Sequence, residues 1–462
     1  MPRIKQAVRL SIITTLLEMT AEIALLNKEA VALAADSAVT LTLGNGQQKI
    51  LPSANKIFSL SKYHPVGLMI YGNAQLVEVP WEVLVKEYRR SLGTQSFDTL
   101  EEYSTDFIKY LTKGSEFFPP EAQERSFILE ARQVYDSIHQ EFDERINAAA
   151  AIARAEGGAF PNEDEKTTLL DDLVSELHNS WRRMKPLSNL PSDFGVKVRE
   201  RYAQTLRMTI REKFDDVQLT RGVVNKLVSI AIWAVERLPI RMRPASSGVV
   251  IAGFGNADPF AGLRSFFIGG IACDQLVYDD DRSVDVRKLG SAILPFAQHE
   301  MVSAFMEGID SRFLNSIQDA VEEMLLGISE FAKEESGLAG ARLEEFHEAL
   351  ARGREALADS FANRMDDVKR KNFSHPVVRV TALLPKIELA SMAEALVNLT
   401  SFKRKVSEEA ETVGGPIDVA VISKGDGFIW VKRKHYFTKE LNPQFFANYY
   451  REEGYGNDQP QE

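Results

Sequence analysis

The chain has 462 residues, of which 44% are hydrophobic, and this is enough apolar material for a substantial core in two or three ordinary domains. Its formal net charge of −11 argues against a nucleic-acid backbone or an anionic membrane surface as the main partner. The single cysteine, Cys273, excludes an internal disulfide and is interpreted as a core residue of a cytoplasmic protein.

The first 19 residues have two interpretations. Three basic residues precede the apolar segment 10–17, as in a secretory signal. That segment is short, contains two threonines and ends at Glu18 without a small-residue cleavage site, so export is the weaker interpretation. Residues 1–19 are therefore expected to be a removable propeptide or an upstream extension, with translation starting at Met19. No stretch of the chain approaches the roughly 20 apolar residues of a membrane-spanning helix.

A β-hairpin is predicted directly after this segment. Apolar residues alternate with less apolar ones over 21–25, a polar break follows at 27–29, and residues 30–35 are apolar. A hairpin of this length returns the end of its second strand to the start of its first. Asp36, which closes the second strand, is therefore expected beside Thr20, which heads the first.

Two further predicted strands bring other functional groups towards this place. Lys56 stands at the start of the third strand, and residues 66–71 form a fourth that ends at Gly72. A threonine with a free α-amine carries its own base, since that amine has an ordinary pKa of roughly 7.7 to 8.0. A lysine ammonium beside an aspartate favours the deprotonated hydroxyl, and a glycine N–H can stabilise an oxyanion. The set therefore indicates nucleophilic catalysis.

These residues resemble the proteasome β-type subunits and their bacterial homologues, within the N-terminal nucleophile hydrolases. The resemblance lies in order and spacing: a threonine, a hairpin ending in Ala-Ala-Asp, then Val-Thr, a lysine before an apolar strand, and a strand ending at a glycine turn. It covers residues 20–112, 246–310 and 373–432. It implies an α+β fold in which two sheets lie between helical layers, a four-layer αββα sandwich.

The resemblance also implies roles for individual residues. Thr20 would be the nucleophile, Asp36 and Lys56 its support, and Gly72 the oxyanion donor. Backbone contacts to an extended peptide and a first specificity pocket for an apolar side chain are implied for five residues: Val39, Thr40, Phe58, Ile70 and Ala74. Gln298 and His299, at the start of a predicted helix, are candidates for the surroundings of the site.

The sequence departs from the family pattern in several places. Ala38 stands where members often have arginine, Met19 replaces the usual glycine, and the loop before Lys56 is longer than usual. Residues 412–419 resemble the loop and strand that carry a supporting aspartate and serine in the family. That pair is not found cleanly here, and Glu409 or Glu411 is the candidate for the acid.

Periodicity predicts the remaining elements. Four single helices are predicted, over 77–88, 97–111, 296–308 and 387–406, and Asp98 is the expected cap of the second. Two helical insertions are predicted as well, one of four segments over 113–245 and one over 311–372. The last has an apolar stripe from Leu343 to Val368 that would pack within the chain or against another subunit. The predicted strands cover 248–254, 263–270, 377–383, 417–423 and 427–432. Residues 279–281 are expected in an exposed acidic turn, and residues 433–462 form a C-terminal extension with a disordered tail.

The sequence thus predicts a threonine-type hydrolase that cleaves extended, partly apolar peptides through an acyl-enzyme, without cofactor or metal. Two alternatives stay open: a non-catalytic assembly or scaffold protein that keeps the fold, and a small-amide hydrolase on the same fold. Because the family forms stacked rings, a homo-oligomer is expected from the resemblance, and an unfoldase partner is left open. No nucleic-acid or membrane partner is expected.

Overall fold

The structure is a computed structural model that describes residues 21–42, 48–51, 53–113, 116–155, 157, 159–243, 245–406, 414–435 and 437–444. It is a mixed α+β fold with antiparallel sheets, which agrees with the expected fold class. In the described part of the chain, no helix has both the length and the apolar composition needed to cross a membrane.

The strands in chain order are β1 (Ala21–Asn27), β2 (Ala30–Ala35), β3 (Val39–Thr42), β4 (Gln48–Leu51), β5 (Ile57–Ser59), β6 (Val66–Gly72), β7 (Gln75–Leu76), β8 (Val79–Pro80), β9 (Ser247–Gly253), β10 (Gly262–Ala272), β11 (Gln275–Asp285), β12 (Ser291–Ala297), β13 (Asp418–Ser423) and β14 (Gly427–Lys432).

The α-helices are α1 (Trp81–Leu92), α2 (Leu100–Lys113), α3 (Pro120–Ala155), α4 (Glu163–Arg182), α5 (Phe194–Lys213), α6 (Arg221–Glu236), α7 (Val286–Leu289), α8 (Glu300–Glu307), α9 (Ser311–Glu335), α10 (Ala341–Val368), α11 (His375–Thr381) and α12 (Lys386–Val406). Short 3₁₀ turns cover Ile240–Met242 and Lys439–Leu441, and a π-helical turn at Lys369–Ser374 joins α10 to α11.

The first sheet has five strands in the order β12-β1-β2-β13-β14, and every pair is antiparallel. The predicted hairpin is its β1–β2 pair, in which Glu22 lies opposite Ala35. The Asn27 side chain closes the hairpin turn, because its carbonyl accepts the N–H groups of Glu29 and Ala30 at 2.9 and 3.1 Å. Sequence and structure therefore agree on the element that carries Asp36.

The second sheet has the order β11-β10-β9-β6-β5, again antiparallel throughout. The predicted pairing of β9 with β10 is present, with Ala252 opposite Leu263. The turn from β10 to β11 consists of Cys273 and Asp274, both with positive φ (51° and 61°), as a two-residue type I′ turn requires. Cys273 is thus a half-buried turn residue, and its interpretation as a core residue was wrong.

Three apolar clusters connect these sheets with each other and with helices. One contains side chains of both sheets, such as Leu33 of β2 and Met69 of β6. A second joins the outer face of the first sheet to α12, and a third joins the outer face of the second sheet to α1 and α2. Alternate residues of each strand point to opposite faces, so each sheet is buried on both sides.

The helical insertions differ in their packing. Helices α3 to α6 share a core of their own, which also includes Ala272 and Val277 at the end of the second sheet. Helices α9 and α10 pack together over their length, yet Leu314 is the one buried residue on these two helices. The predicted apolar stripe of α10 is therefore half-buried at most, against α9.

Several predicted elements were wrong in place or type. Helix α1 begins at Trp81 rather than at 77, and α2 is capped by Thr99 rather than Asp98: Thr99 Oγ1 accepts the Glu102 N–H at 3.2 Å. Residues 279–281 lie within β11 rather than in a turn. This strand is at a sheet edge, where polar side chains are normal, and its acidic run hid it.

Two further corrections concern the region around α8 and α11. Residues 296 and 297 end β12, and the helix begins only at Glu300, because Phe296 packs between the sheets. The valine-rich run 377–383 was expected as a strand but is mostly helix α11. Pro376 in its first turn favours a helix start, and Asn27 Nδ2 donates to the terminal carbonyl of Thr381 at 3.2 Å. Strand propensity is outweighed by this context.

Candidate active site

The two sheets bring three ionisable side chains together where β1, β2 and β5 meet. Asp36 follows β2 directly, and Lys56 precedes β5. Glu22 is the second residue of β1, and it has the same parity as Ala24 and Leu26, which face the second sheet. The three side chains therefore converge between the sheets, although they are far apart in the chain.

Lys56 lies between two carboxylates. Its Nζ is 2.5 Å from Asp36 Oδ1 and 2.9 Å from Glu22 Oε1. All three residues are at most 4% exposed, so these are buried ion pairs. Charged groups remain in such places only when they are paired and hydrogen-bonded, which both contacts provide.

Backbone N–H groups complete the surroundings of the Asp36 carboxylate. The N–H of Ala21 donates to Oδ1 at 3.2 Å, and the N–H of Gly414 donates to Oδ2 at 2.9 Å. The Asp36 N–H in turn donates to the carbonyl of Ala21 at 3.1 Å. Asp36 is thus bound on both sides to the residue that follows Thr20 in the chain.

The charge of Lys56 follows from its neighbours. Burial by itself disfavours the ammonium and lowers its pKa, but the negative charges of Glu22 and Asp36 and their hydrogen bonds outweigh this effect and raise the pKa above its ordinary value of 10.5. Lys56 is therefore an ammonium at neutral pH. It can supply a positive field and hydrogen bonds, and it is not a base.

The segment that begins at Gly414 is attached to the site by Ser37. The Ser37 N–H donates to the carbonyl of Gly414 at 3.2 Å, and the Ser37 hydroxyl donates to the carbonyl of Pro416. Asp418, the first residue of β13, lies opposite Ala35 and forms a partly buried ion pair with Lys434. The region that resembled the family's supporting loop is thus located beside Asp36.

Gly72 ends β6 with a φ of 77°, a value that glycine adopts without strain. Two residues before Gly72, the Ile70 N–H donates to the carbonyl of Lys56 at 2.8 Å. Gly72 is solvent-exposed. The role of Gly72 as oxyanion donor stays a prediction.

The other predicted residues are placed as follows. Thr20, Glu409 and Glu411 lie outside the described residues. Val39 and Thr40 belong to β3, opposite Leu51 and Ile50 of β4. Phe58 and Ile70 are buried in the cluster beneath α1 and α2, and the Ala74 carbonyl accepts the Trp81 N–H. Phe58 and Ile70 thus have a packing role, and the specificity pocket stays an expectation from the resemblance.

Gln298 and His299 lie near the start of β1. Ala297, directly before them, is opposite Ala21 in the sheet. Gln298 is buried, and its Oε1 accepts from Arg404 Nε at 3.0 Å. His299 is close to its own chain, with Nδ1 3.3 Å from the Ala297 carbonyl. The structure thus places Gln298 in a polar contact with α12 close to the candidate site.

Sequence reasoning missed Glu22. It also missed the amide of Gly414, since the candidates in this region were side-chain acids, Glu409 and Glu411, rather than backbone groups. The available signal for Glu22 was one ionisable residue in a segment, 21–26, that is otherwise entirely apolar and therefore reads as buried on both faces. Buried carboxylates require a partner, so this position pointed to a cation in the core.

Among the residues that the structure describes, no group of three or more histidine, cysteine, aspartate or glutamate side chains is arranged to hold a metal ion. The chain matches no protein-family model and no curated protein sequence.

Proposed function

We propose that this chain is a threonine-type N-terminal nucleophile hydrolase that cleaves extended, partly apolar peptides through an acyl-enzyme. One observation carries the proposal: a buried Lys56–Asp36 pair whose carboxylate accepts the N–H of Ala21, the residue bonded to Thr20. A threonine nucleophile must be activated. A lysine ammonium that is paired with an aspartate favours a deprotonated hydroxyl beside it through its positive charge.

The arrangement of layers supports the proposal as well. The apolar clusters join α1 and α2 to the second sheet, the second sheet to the first, and the first sheet to α12. We infer that these layers form the αββα sandwich of N-terminal nucleophile hydrolases, with α3 to α6 and the α9–α10 pair as additions. Fold alone does not define function, so the site remains the main argument.

The proposed reaction proceeds in two steps. The Thr20 hydroxyl oxygen bonds to the peptide carbonyl carbon, its proton passes to the free α-amine, and that amine returns a proton to the leaving nitrogen as the C–N bond breaks. Water then hydrolyses the resulting ester by the same proton route in reverse. The Lys56 ammonium stabilises the developing alkoxide, and the Gly72 N–H is assigned to the oxyanion.

The decisive experiment compares three proteins whose first residue is established by intact mass. Three proteins are assayed with apolar fluorogenic peptides: a chain that begins at Thr20, its Thr20→Ala variant, and a Thr168→Ala control at an exposed position of helix α4. We expect turnover in the first and the control, and background rates in Thr20→Ala. Equal turnover in all three contradicts the assignment of Thr20 as nucleophile.

A non-catalytic assembly protein is the second candidate, and one observation favours it. Large apolar side chains on α9 are exposed, among them Phe313, Ile328 and Phe331 at 56 to 64%, which is typical of a surface that binds protein. This candidate predicts a native protein that retains residues 1–19 and cleaves no peptide. Intact mass of native protein, together with the peptide assay, separates the two candidates.

A further inference from the structure

Glu22 is the second carboxylate in contact with Lys56, and the reaction described above makes no use of it. Its Oε1 is 2.9 Å from Lys56 Nζ, and its side chain is as buried as that of Asp36. The other described residues of β1 are apolar except Asn27 at the turn. Burying a charge in such a strand costs free energy unless the charge is paired and hydrogen-bonded to another group.

Asp36 alone already gives Lys56 a counter-ion, and two N–H groups bind Asp36 in addition. A second carboxylate within hydrogen-bond distance of Nζ changes two things. It adds a second negative charge that favours the ammonium, and it holds Nζ between the ends of β1 and β2. Lysine is otherwise a residue whose buried amine readily loses its proton.

We propose that Glu22 is a positioning residue that keeps Lys56 in its ammonium form at a fixed place, so that Lys56 acts only through its positive charge and never accepts the nucleophile's proton. That task then falls to the α-amine of Thr20. The catalytic part of this inference rests on the proposed function, whereas the charge of Lys56 can be measured without any turnover.

Other charged groups act on the same cluster from neighbouring strands. Tyr71 of β6 is buried and interacts electrostatically with Glu22, and Asp281 and Arg282 of β11 act on Tyr71 with opposite signs. Burial raises the pKa of the Tyr71 phenol, so Tyr71 is neutral near pH 7. The cation that faces Glu22 most directly is therefore Lys56.

The test uses the full chain with lysine labelled at ¹³Cε, and follows the Lys56 signal by NMR as pH rises. The variants are Glu22→Gln, which removes the charge at constant shape, Glu22→Asp, which keeps the charge, and Glu29→Gln as a control in the exposed turn of the same hairpin. We expect the Lys56 titration midpoint to fall by about one pH unit or more in Glu22→Gln only. An unchanged midpoint in Glu22→Gln overturns the inference.

A second readout links the charge to the reaction. The rate at which a peptide β-lactone acylates Thr20 is followed by mass spectrometry at increasing pH. In Glu22→Gln the rate should decline at alkaline pH where the parent chain and Glu22→Asp stay on a plateau, because Lys56 loses its charge. A changed titration with an unchanged acylation profile overturns the catalytic part of the inference.

The two proposals fail in distinguishable ways. A parent chain that is never acylated at Thr20 contradicts the hydrolase proposal, while the NMR midpoints still decide what Glu22 does to Lys56. If Glu22→Gln does not fold, Glu22→Asp serves instead. Its shorter side chain should change the chemical shift of Lys56 ¹³Cε while the titration midpoint of Lys56 stays high. An unchanged chemical shift overturns the positioning role.

Discussion

At the scale of single residues, Lys56 is the centre of a small buried network. Its partners come from two strand ends and are themselves tied to the backbone, since Asp36 accepts the N–H groups of Ala21 and Gly414. Removing one member therefore leaves a buried charge that has lost its partner and that solvent does not reach. The stability of the fold and the chemistry of the site depend on the same contacts.

Replacing Lys56 by methionine should destabilise the protein strongly. The change leaves two buried carboxylates without their cation, and the loss of one partner of a buried pair typically costs about 3–5 kcal/mol. Lys86→Met is the matched control, because Lys86 pairs with Glu82 on an exposed helix surface, where such pairs contribute roughly 0–1 kcal/mol. Urea unfolding of both variants measures the difference. Similar costs for the two would show that the buried pair has no special weight.

The raised pKa of Lys56 predicts a loss of stability at alkaline pH. The folded state holds the proton more tightly than the unfolded state, so the stability from this pairing is fully present below about pH 10.5 and falls as pH rises through the folded pKa. Tyr88 acts in the same direction, because burial and then the nearby Asp106 raise its pKa above the ordinary 10.0.

Urea unfolding at about pH 9 and about pH 11 checks this prediction. Tyr88→Phe removes one contribution and should reduce the decline in the free energy of unfolding between the two pH values. Tyr63→Phe is the control, since Tyr63 is 50% exposed. A decline that is the same in all three proteins would mean that Tyr88 has no part in it.

The candidate site could be predicted from the sequence only in part. Asp36 follows from the hairpin, whose two strands return residue 36 to the start of the first, and Lys56 follows from the resemblance in order and spacing. Glu22 and the Gly414 amide do not, because their roles arise from contacts across strands. The Gly414 contact joins residues 378 apart in the chain, which no local pattern encodes.

At the scale of elements, β6 and β9 fit together because one residue has no side chain. A Cβ at Gly248 would lie 1.9 Å from Cζ of Tyr71, the residue opposite it in the sheet. The Tyr71 ring itself packs against Phe296 of the first sheet, with the ring centroids 5.4 Å apart. Gly248 thus sets the position of an aromatic side chain between the sheets.

Gly248→Ala should therefore displace Tyr71 and destabilise the protein by about 1–3 kcal/mol, as overpacking of a core usually does. Gly425→Ala in the β13–β14 turn is the control, because nothing lies within 4 Å of the position of its added Cβ. Thermal unfolding and the NMR signals of Phe296 report the two effects. A neutral Gly248→Ala would imply that Tyr71 can reorient freely.

Elements with a strong periodic pattern could be predicted well, whereas strand β11 and helix α11 could not. Helices α3 to α6 have apolar faces that meet each other, so pattern and packing agree. Strand β11 is an acidic edge strand, and α11 is a valine-rich helix at the end of a longer helical run. In both, neighbouring elements rather than intrinsic preference decided the conformation.

At the scale of the whole molecule, the α9–α10 pair contributes little to the core, because Leu314 is the one buried residue on its two helices. The ends of the pair approach each other, since a Cβ at Gly308 would lie 2.4 Å from the ring of Phe373. A surface pair of this kind adds little to the stability of the sheets. Its exposed apolar side chains are typical of a surface that binds protein.

Replacing residues 320–356 with a short glycine–serine linker should leave the unfolding midpoint of the sheets within a few degrees, because lengthening or shortening a surface connection has a small entropic effect. Peptide turnover, where present, should persist. Thermal unfolding and light scattering measure stability and assembly. Collapse of the unfolding transition would show that the pair supports the core after all.

The bond between Gly414 and Asp36 has a consequence for synthesis on the ribosome. The β1–β2 hairpin emerges before β13, the strand that pairs with the other edge of β2, which follows almost 400 residues later. At typical elongation rates of about 5–20 residues per second, this interval is roughly 20 to 75 s. During that time the β2 edge of the nascent chain has no β13 partner, so the proposed nucleophile acquires its full setting only after β13 has been synthesised, and a product truncated before β13 never does.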